Sequence, residues 1–364
     1  MKVTAPISEL HELEPLAKSG AEEFYCGVTP RQWIQSFSNG VWLNRRGPQS
    51  GNILSVDGLK TLVREAHRLG FPVYLTMNAQ MHTASQLPQL KDLLRAAIEE
   101  AEVDSVIVGD IALMLVLREL YPSFRFMVST VAVAGNREAA ALYRDLGARR
   151  IIFPRHITFA EMEAIQRAVP ELEYEAFVLN DACVFEEGYC HTQHGVRGLT
   201  AFCFTDWEER VHTTGSAGKT GVPAVLDDET AKEWREHLSD HREWLWYAQN
   251  CGNTLNAKEL PNGHCGLCAI PDLARLGITS LKIVGREAGL WRKLRSVQLV
   301  RAVVDRVRAG ASRDEARRFA VETRGDAETC SKGWMCYYRE VKDVTNPSLT
   351  SPSLTNTVEH ADRG

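Results

Sequence analysis

The chain has nine cysteines in 364 residues, and most lie in its second half. Cys183-x6-Cys190-x12-Cys203 forms one group, Cys251, Cys265 and Cys268 follow, and Cys330-x5-Cys336 comes near the end. Four thiolates converging on a tetrahedral site suit zinc or an iron–sulfur cluster. Structural zinc favours knuckles in which one tight turn supplies two ligands, and only Cys265-x2-Cys268 has that spacing. The wider, irregular remainder fits a cluster better, because its irons stand farther apart. Zinc stays open as the alternative, and so does a set of thiols that are merely small buried apolar groups. A second set of chemical groups ends short apolar runs: Cys26, Asn78, Asp110, Ser129 with Thr130, Arg155 with His156, Asn180 with Asp181, and Arg286 with Glu287. Arg155 and Arg286 each directly close an apolar run. A guanidinium fork there matches a carboxylate through two hydrogen bonds.

These groups need a scaffold that brings them to one rim. Four times an amphipathic stretch ends in glycine and an apolar run follows: Gly20 before 22–28, Gly70 before 72–78, Gly147 before 149–155 and Gly277 before 280–286. Glycine just past a helix end fits the left-handed cap position. Further strands are expected at 2–6, 105–110, 125–131 and 173–180, which makes eight. Strict alternation of strand and helix predicts parallel strands with right-handed crossovers. Eight units favour a closed (β/α)8 TIM-like barrel, whose chemistry sits where strands end. The dinucleotide fingerprint of an open sheet is missing, since Ile7-Ser8-Glu9-Leu10 follows the first strand. The barrel is expected over 1–310, with a cysteine-bearing insertion over 181–279 between strands seven and eight. Helices are expected at 228–249, 270–276, 289–310 and 314–323. A C-terminal extension covers 311–345, and the Ser/Thr/Pro-rich tail 346–364 reads as disordered.

Lys and Arg number 42 against 47 Asp and Glu, which argues against a dedicated nucleic-acid binder and mildly favours a small acceptor over RNA. No signal peptide and no membrane span are read, so a cytoplasmic location is expected. There thiols stay reduced, and nine cysteines need a use other than disulfides.

Certain residues resemble a known family. They are Ala5-Pro6, Gly20-Ala21-Glu22, Leu75-Thr76-Met77-Asn78, Val106-Ile107-Val108-Gly109-Asp110, Val128-Ser129-Thr130, Arg155 and Phe177-Val178 ahead of Cys183-x6-Cys190. Leu267-Cys268-Ala269-Ile270-Pro271-Asp272-Leu273 running into Leu281-Lys282-Ile283-Val284-Gly285-Arg286 completes the set. Over about residues 1–310 the chain resembles the collagenase-like "U" peptidase family of unknown catalytic type. The resemblance implies a barrel domain and a 4Fe-4S cluster on Cys183, Cys190, Cys203 and Cys268. It implies oxygen-independent hydroxylation of a ubiquinone precursor or an RNA base, with prephenate as the oxygen source. The family's His-Gly-Ala-Met ahead of the first cluster cysteine is here Leu179-Asn180-Asp181-Ala182, and the Gln after Ser-Thr is Val131. Cys251, Cys265, Cys330 and Cys336 remain for a second metal site.

The expected reaction is hydroxylation of a small aromatic or nucleobase acceptor. Arg155 and Arg286 would hold the donor carboxylates, and Asn78, Asp110 and Ser129 would position the acceptor. A peptidase is the first alternative, and a non-catalytic cluster carrier working with a family-related protein partner is the second. Gly215-Ser-Ala-Gly218-Lys219-Thr220 resembles a phosphate loop but lacks its first glycine and its preceding strand. Cys26 reads as a buried strand cysteine ahead of a nucleophile. The basic helix over 289–310 reads as a solvated face, with phosphate or an acidic partner as the other use.

Overall fold

The computed structural model describes residues 1–37, 42–47, 49, 51–180, 183, 187–190, 226–250, 255–256, 258–333 and 335–341, without the side chains of 243–250, 332 and 339. Cys203, Cys251, the glycine-rich 215–221 run and the 346–364 tail therefore lie outside the described residues.

Eight parallel strands close into a barrel in sequence order. They are β1 (Lys2–Pro6), β2 (Glu23–Gly27), β3 (Val73–Met77), β4 (Ser105–Val108), β5 (Phe126–Val128), β6 (Ala148–Ile152), β7 (Glu173–Leu179) and β8 (Ser280–Ile283). The ring closes where Lys2, Val3 and Thr4 pair with Ser280, Leu281 and Lys282. Around it run α1 (Leu13–Lys18), α2 (Arg31–Ser36), α3 (Val56–Arg68), α4 (Leu87–Arg95), α5 (Ile111–Leu120), α6 (Arg137–Asp145) and α7 (Phe159–Ala168). After them come α8 (Asp228–Asn250), α9 (Ile270–Arg275), α10 (Leu290–Arg308), α11 (Arg313–Arg324) and α12 (Ala327–Lys332). Gly20, Gly70, Gly147 and Gly277 all take positive φ, as helix ends that turn into a strand require. The helix that begins as α4 leaves α geometry after Arg95 and finishes as a wide turn over Ala96–Glu100.

The strands are buried between helices outside and their own side chains inside, so all eight read as short apolar runs. The interior nevertheless holds charge. Arg150 donates to Glu23 at 2.8 and 3.1 Å, to Glu175 at 3.0 Å and to Glu173 at 2.8 Å. Lys282 donates to Glu175 at 2.8 Å, and Tyr74 and Ser280 donate to Glu23. Burial pushes the Glu23 carboxyl up, but Arg150 and then Lys2 outweigh it and hold the group down at about 2.

The C-terminal extension fastens to the outside of β7. Tyr337 donates to the Asn180 carbonyl and Tyr338 to the Phe177 carbonyl, the latter at 2.8 Å. The Glu340 carboxylate accepts from the Phe159 amide at 2.9 Å, at the start of α7. Asp272 of α9 accepts from Arg317 at 2.6 Å and pairs with Arg313 at 2.8 Å, both on α11.

Candidate active site

All five non-cysteine residues expected at the site lie beyond the C-terminal ends of the strands. Arg286 follows β8 and is 5% exposed. Its guanidinium donates to Asn44 Oδ1 at 2.8 Å and to Asn52 Oδ1 at 3.2 Å. Asn44 in turn donates to Asn52 at 2.9 Å, and Asn52 to the Gly47 carbonyl at 2.8 Å. Among the described residues, the hydrogen-bond acceptors on this guanidinium are neutral amides. The neighbouring Glu287 carboxylate turns to Arg46 at 3.0 Å. Burial, with the Arg46 charge nearby, pulls Arg286 down to about 10. Gly27 makes room for it, because a Cβ there would stand 1.7 Å from the guanidinium NH1 and 2.2 Å from Asn52 Oδ1.

Asn78, beyond β3, donates to Ser129 Oγ, beyond β5, at 2.9 Å, so two expected site residues meet directly. The Arg45 amide donates to Asn78 Oδ1 at 3.3 Å. Asp110 has two roles. Its Oδ1 accepts from the Ala112 amide at 2.9 Å and caps α5, while its Oδ2 meets His82 Nδ1 at 2.9 Å. A carboxylate on Nδ1 fixes the tautomer with its proton there, which leaves Nε2 as the acceptor. Nε2 is buried and has no hydrogen-bond partner among the described residues. The pair is therefore an imidazole held in position by a carboxylate. The Arg155 guanidinium lies 3.9 Å over the Phe177 ring.

The sequence reading missed Asn44, Asn52 and His82. Asn44-Arg45-Arg46 was the available signal, a polar cluster in an unusually long excursion after β2. Cys26 is fully buried and burial pushes its thiol up to about 12, so it is a core cysteine and not a nucleophile. The basic helix α10 spends much of its charge within the molecule. Lys293 pairs with Glu12 at 2.7 Å, Arg301 with Asp305 at 2.7 Å and Arg308 with Glu22 at 2.9 Å.

The cysteines divide into groups. Cys183 and Cys190 flank a 3-10 turn, Glu187–Tyr189, whose Gly188 carbonyl accepts from Gln80 at 2.6 Å, beyond β3. Cys268 lies in the turn before α9, and the thiols that act on it most strongly are Cys265, Cys330 and Cys336. The cluster set implied by the resemblance therefore has one member outside the described residues, Cys203, and one that faces other thiols, Cys268. As the side chains stand, no three Cys, His, Asp or Glu among the described residues are gathered tightly enough to hold a metal ion. No helix among the described residues is long and apolar enough to cross a membrane.

The chain is similar to several known proteins. A tRNA hydroxylation protein P of Haemophilus influenzae is 24% identical over 290 residues, covering 73% of this chain and 62% of that protein. Its namesake in Escherichia coli is 25% identical over 277 residues, covering 71% and 61%. An uncharacterized protease of Methanocaldococcus jannaschii is 24% identical over 326 residues, covering 88% and 69%. The chain thus spans about three-fifths of the length of the two hydroxylation proteins. The solved structure of the U32 peptidase Mk0906 aligns with 52% of this chain and 74% of that one, at 20% identity and a TM-score of 0.41. The family model described as peptidase family U32 matches residues 8–345, nearly the whole chain. With the barrel and its rim in place, that match settles the family: the chain belongs to peptidase family U32.

Proposed function

We propose that this chain is an enzyme that hydroxylates an RNA base without molecular oxygen, at the mouth of its barrel, using a small carboxylate such as prephenate as oxygen donor. The single observation that carries the reading is Arg286, a buried guanidinium at the rim whose hydrogen-bond acceptors are neutral amides. A site built this way has positive charge to offer an anionic ligand in a poorly hydrated setting, where a charge-assisted hydrogen bond is strong. Arg155 offers a second guanidinium on the same rim. The Asn78–Ser129 pair supplies neutral donors and acceptors of the kind that read a base edge. His82, oriented by Asp110, takes up a proton at Nε2.

The relatives support RNA as the acceptor, against the small molecule that the net charge favours. Two bear the name tRNA hydroxylation protein P, and an E. coli 23S rRNA 5-hydroxycytidine C2501 synthase is 27% identical over 147 residues. The proposed cofactor is an iron–sulfur cluster on thiolates of the insertion, with Cys183, Cys190 and Cys203 among its ligands and zinc as the alternative metal. Such a cluster, when bound, supplies one-electron chemistry. The family name and the archaeal relative keep a peptidase as the second reading. Its weakness is the nucleophile, since Cys26 is buried and protonated.

The test uses chain prepared without oxygen, prephenate, and RNA from cells lacking the modification. Nucleoside mass spectrometry should find a uridine or cytidine that has gained one oxygen atom. Arg286→Met should lower the rate about tenfold to a hundredfold, the loss of one hydrogen bond to a charged group. Full activity in that variant would remove Arg286 from the site. Oxygen gained by a free aromatic, or cleavage of a peptide, would replace the reading.

A further inference from the structure

We infer that Cys265, Cys268, Cys330 and Cys336 form a four-thiolate metal site, separate from the insertion cysteines, that fastens the C-terminal extension to the barrel. The backbone brings the pairs together. The segment around Cys265 runs antiparallel to the end of β7, where Asn180 donates to the His264 carbonyl at 2.8 Å and Gly266 to the Val178 carbonyl at 2.7 Å. Cys336 then pairs with Cys265 on the far side. The Cys265 amide donates to the Met335 carbonyl at 2.6 Å, and the Tyr337 amide to the Cys265 carbonyl at 3.1 Å. Cys330 sits in the last turn of α12, and Gly333, with φ 68°, turns the chain back toward Cys336. Cys265-x2-Cys268 has the spacing of a metal-binding knuckle, and the Cys330-x5-Cys336 segment brings the second pair to it. The thiols lie within one another's electrostatic reach: Cys268 feels the other three, and Cys330 feels Cys265 and Cys336. None of the four is in a disulfide.

The independent observation is Arg324. It is 1% exposed, and none of its three guanidinium nitrogens meets an oxygen or nitrogen acceptor among the described residues. Its charge acts on the thiols of Cys265 and Cys330. A buried guanidinium without a hydrogen-bond acceptor is costly. Four ionised thiolates around a divalent metal are anionic overall and supply a counter-charge. Arg317, seven residues earlier on α11 and so on nearly the same face, also acts on Cys268, with Asp272 as its own partner. The side chains must rotate inward to close on an ion. The shared chemistry is tetrahedral thiolate coordination, which either zinc or an iron–sulfur cluster can occupy. One consequence reaches the insertion. If Cys268 is spent here, then Cys183, Cys190, Cys203 and Cys251 are the cysteines left for the proposed catalytic cluster.

The test is metal and sulfide analysis of the full-length chain, prepared without oxygen, as wild type and as two double variants. Cys330→Ser with Cys336→Ser should lose one site's metal, either one zinc or about four irons. Cys183→Ser with Cys190→Ser should keep that metal, so failure of the hydroxylation reading leaves this result intact. Metal content unchanged in the first variant overturns the inference. Should that variant not fold, wild-type protein decides. Alkylation with mass spectrometry should find Cys265, Cys268, Cys330 and Cys336 becoming reactive together once the metal is stripped, and labelling that ignores stripping overturns it. Arg324→Met should weaken metal retention by about 10–100-fold, the usual effect of losing an outer-shell partner, with partial rescue in Arg324→Lys.

Discussion

Replacing Arg150 with methionine tests the charged barrel interior quantitatively. The buried charges balance in the wild type: Glu23 and Glu175 against Arg150 and Lys282. Removing Arg150 leaves one negative charge unpaired in the barrel, a class of change that costs about 3–5 kcal/mol. The variant has one escape, which is to fold with a carboxyl protonated. At pH 7 that costs about 1.4 kcal/mol for each pH unit above the ordinary value of 4.5, or about 3.4 kcal/mol. At pH 5 the same escape costs only about 0.7 kcal/mol. The sign follows from linkage: the folded variant binds a proton that its unfolded chain does not, so its stability falls as pH rises. Wild-type Glu23 behaves in the opposite way. Its depressed pKa adds stability that is full above 4.5 and is lost only as pH falls toward about 2. Urea unfolding at pH 5, 6 and 7 should therefore show the gap between the two proteins closing by about 1.4 kcal/mol per unit of acidification. A gap independent of pH, or one below about 1 kcal/mol at pH 7, would refute the argument that the network is dry and charge-balanced.

Three further outcomes follow from the same geometry. Gly27→Ala places a Cβ 1.7 Å from the Arg286 guanidinium, so it should impair donor binding as Arg286→Met does, read as a raised KM for prephenate. His82→Gln should lower the hydroxylation rate by about 10²–10⁴-fold, the range for losing a general base, and Asp110→Asn should lower it less because the amide still caps α5. Asp272→Ala strips a buried partner from Arg317 and should cost about 3–5 kcal/mol in urea unfolding, with the extension lost before the barrel in hydrogen exchange.

Much of the scaffold was readable because its signals are local. Gly20, Gly70, Gly147 and Gly277 mark helix ends through a backbone preference that needs no distant partner, and all four turn as expected. Arg286, Asn78 and Ser129 could be placed at the rim because a parallel barrel sends every strand end there. The interior charges were not readable in the same way. Arg150 and Lys282 sit in apolar runs, and their partners Glu23 and Glu175 come from other strands. Only closure of the ring shows that they neutralise one another. Asn44 and Asn52 look like ordinary loop amides until Arg286 is laid against them. The neighbours of Cys268 were hidden for the same reason. Spacing along the chain put Cys251 with the late cysteines, whereas the fold brings Cys268 to Cys330 and Cys336 through a pairing that spans some seventy residues.

Closure of β1 on β8 also constrains how the molecule is made. Lys2 pairs with Ser280, so the first strand of the barrel waits for the last. At about 5–20 residues per second that wait is roughly 15–60 s. Throughout it the nascent sheet presents two unsatisfied edges to a crowded cell. The future lumen, however, carries Glu23, Arg150 and Glu175, which hold water until Lys282 arrives and the ring shuts. An unfinished barrel lined this way is less adhesive than an apolar one. The charges that look costly in the finished fold protect the chain while it is still open.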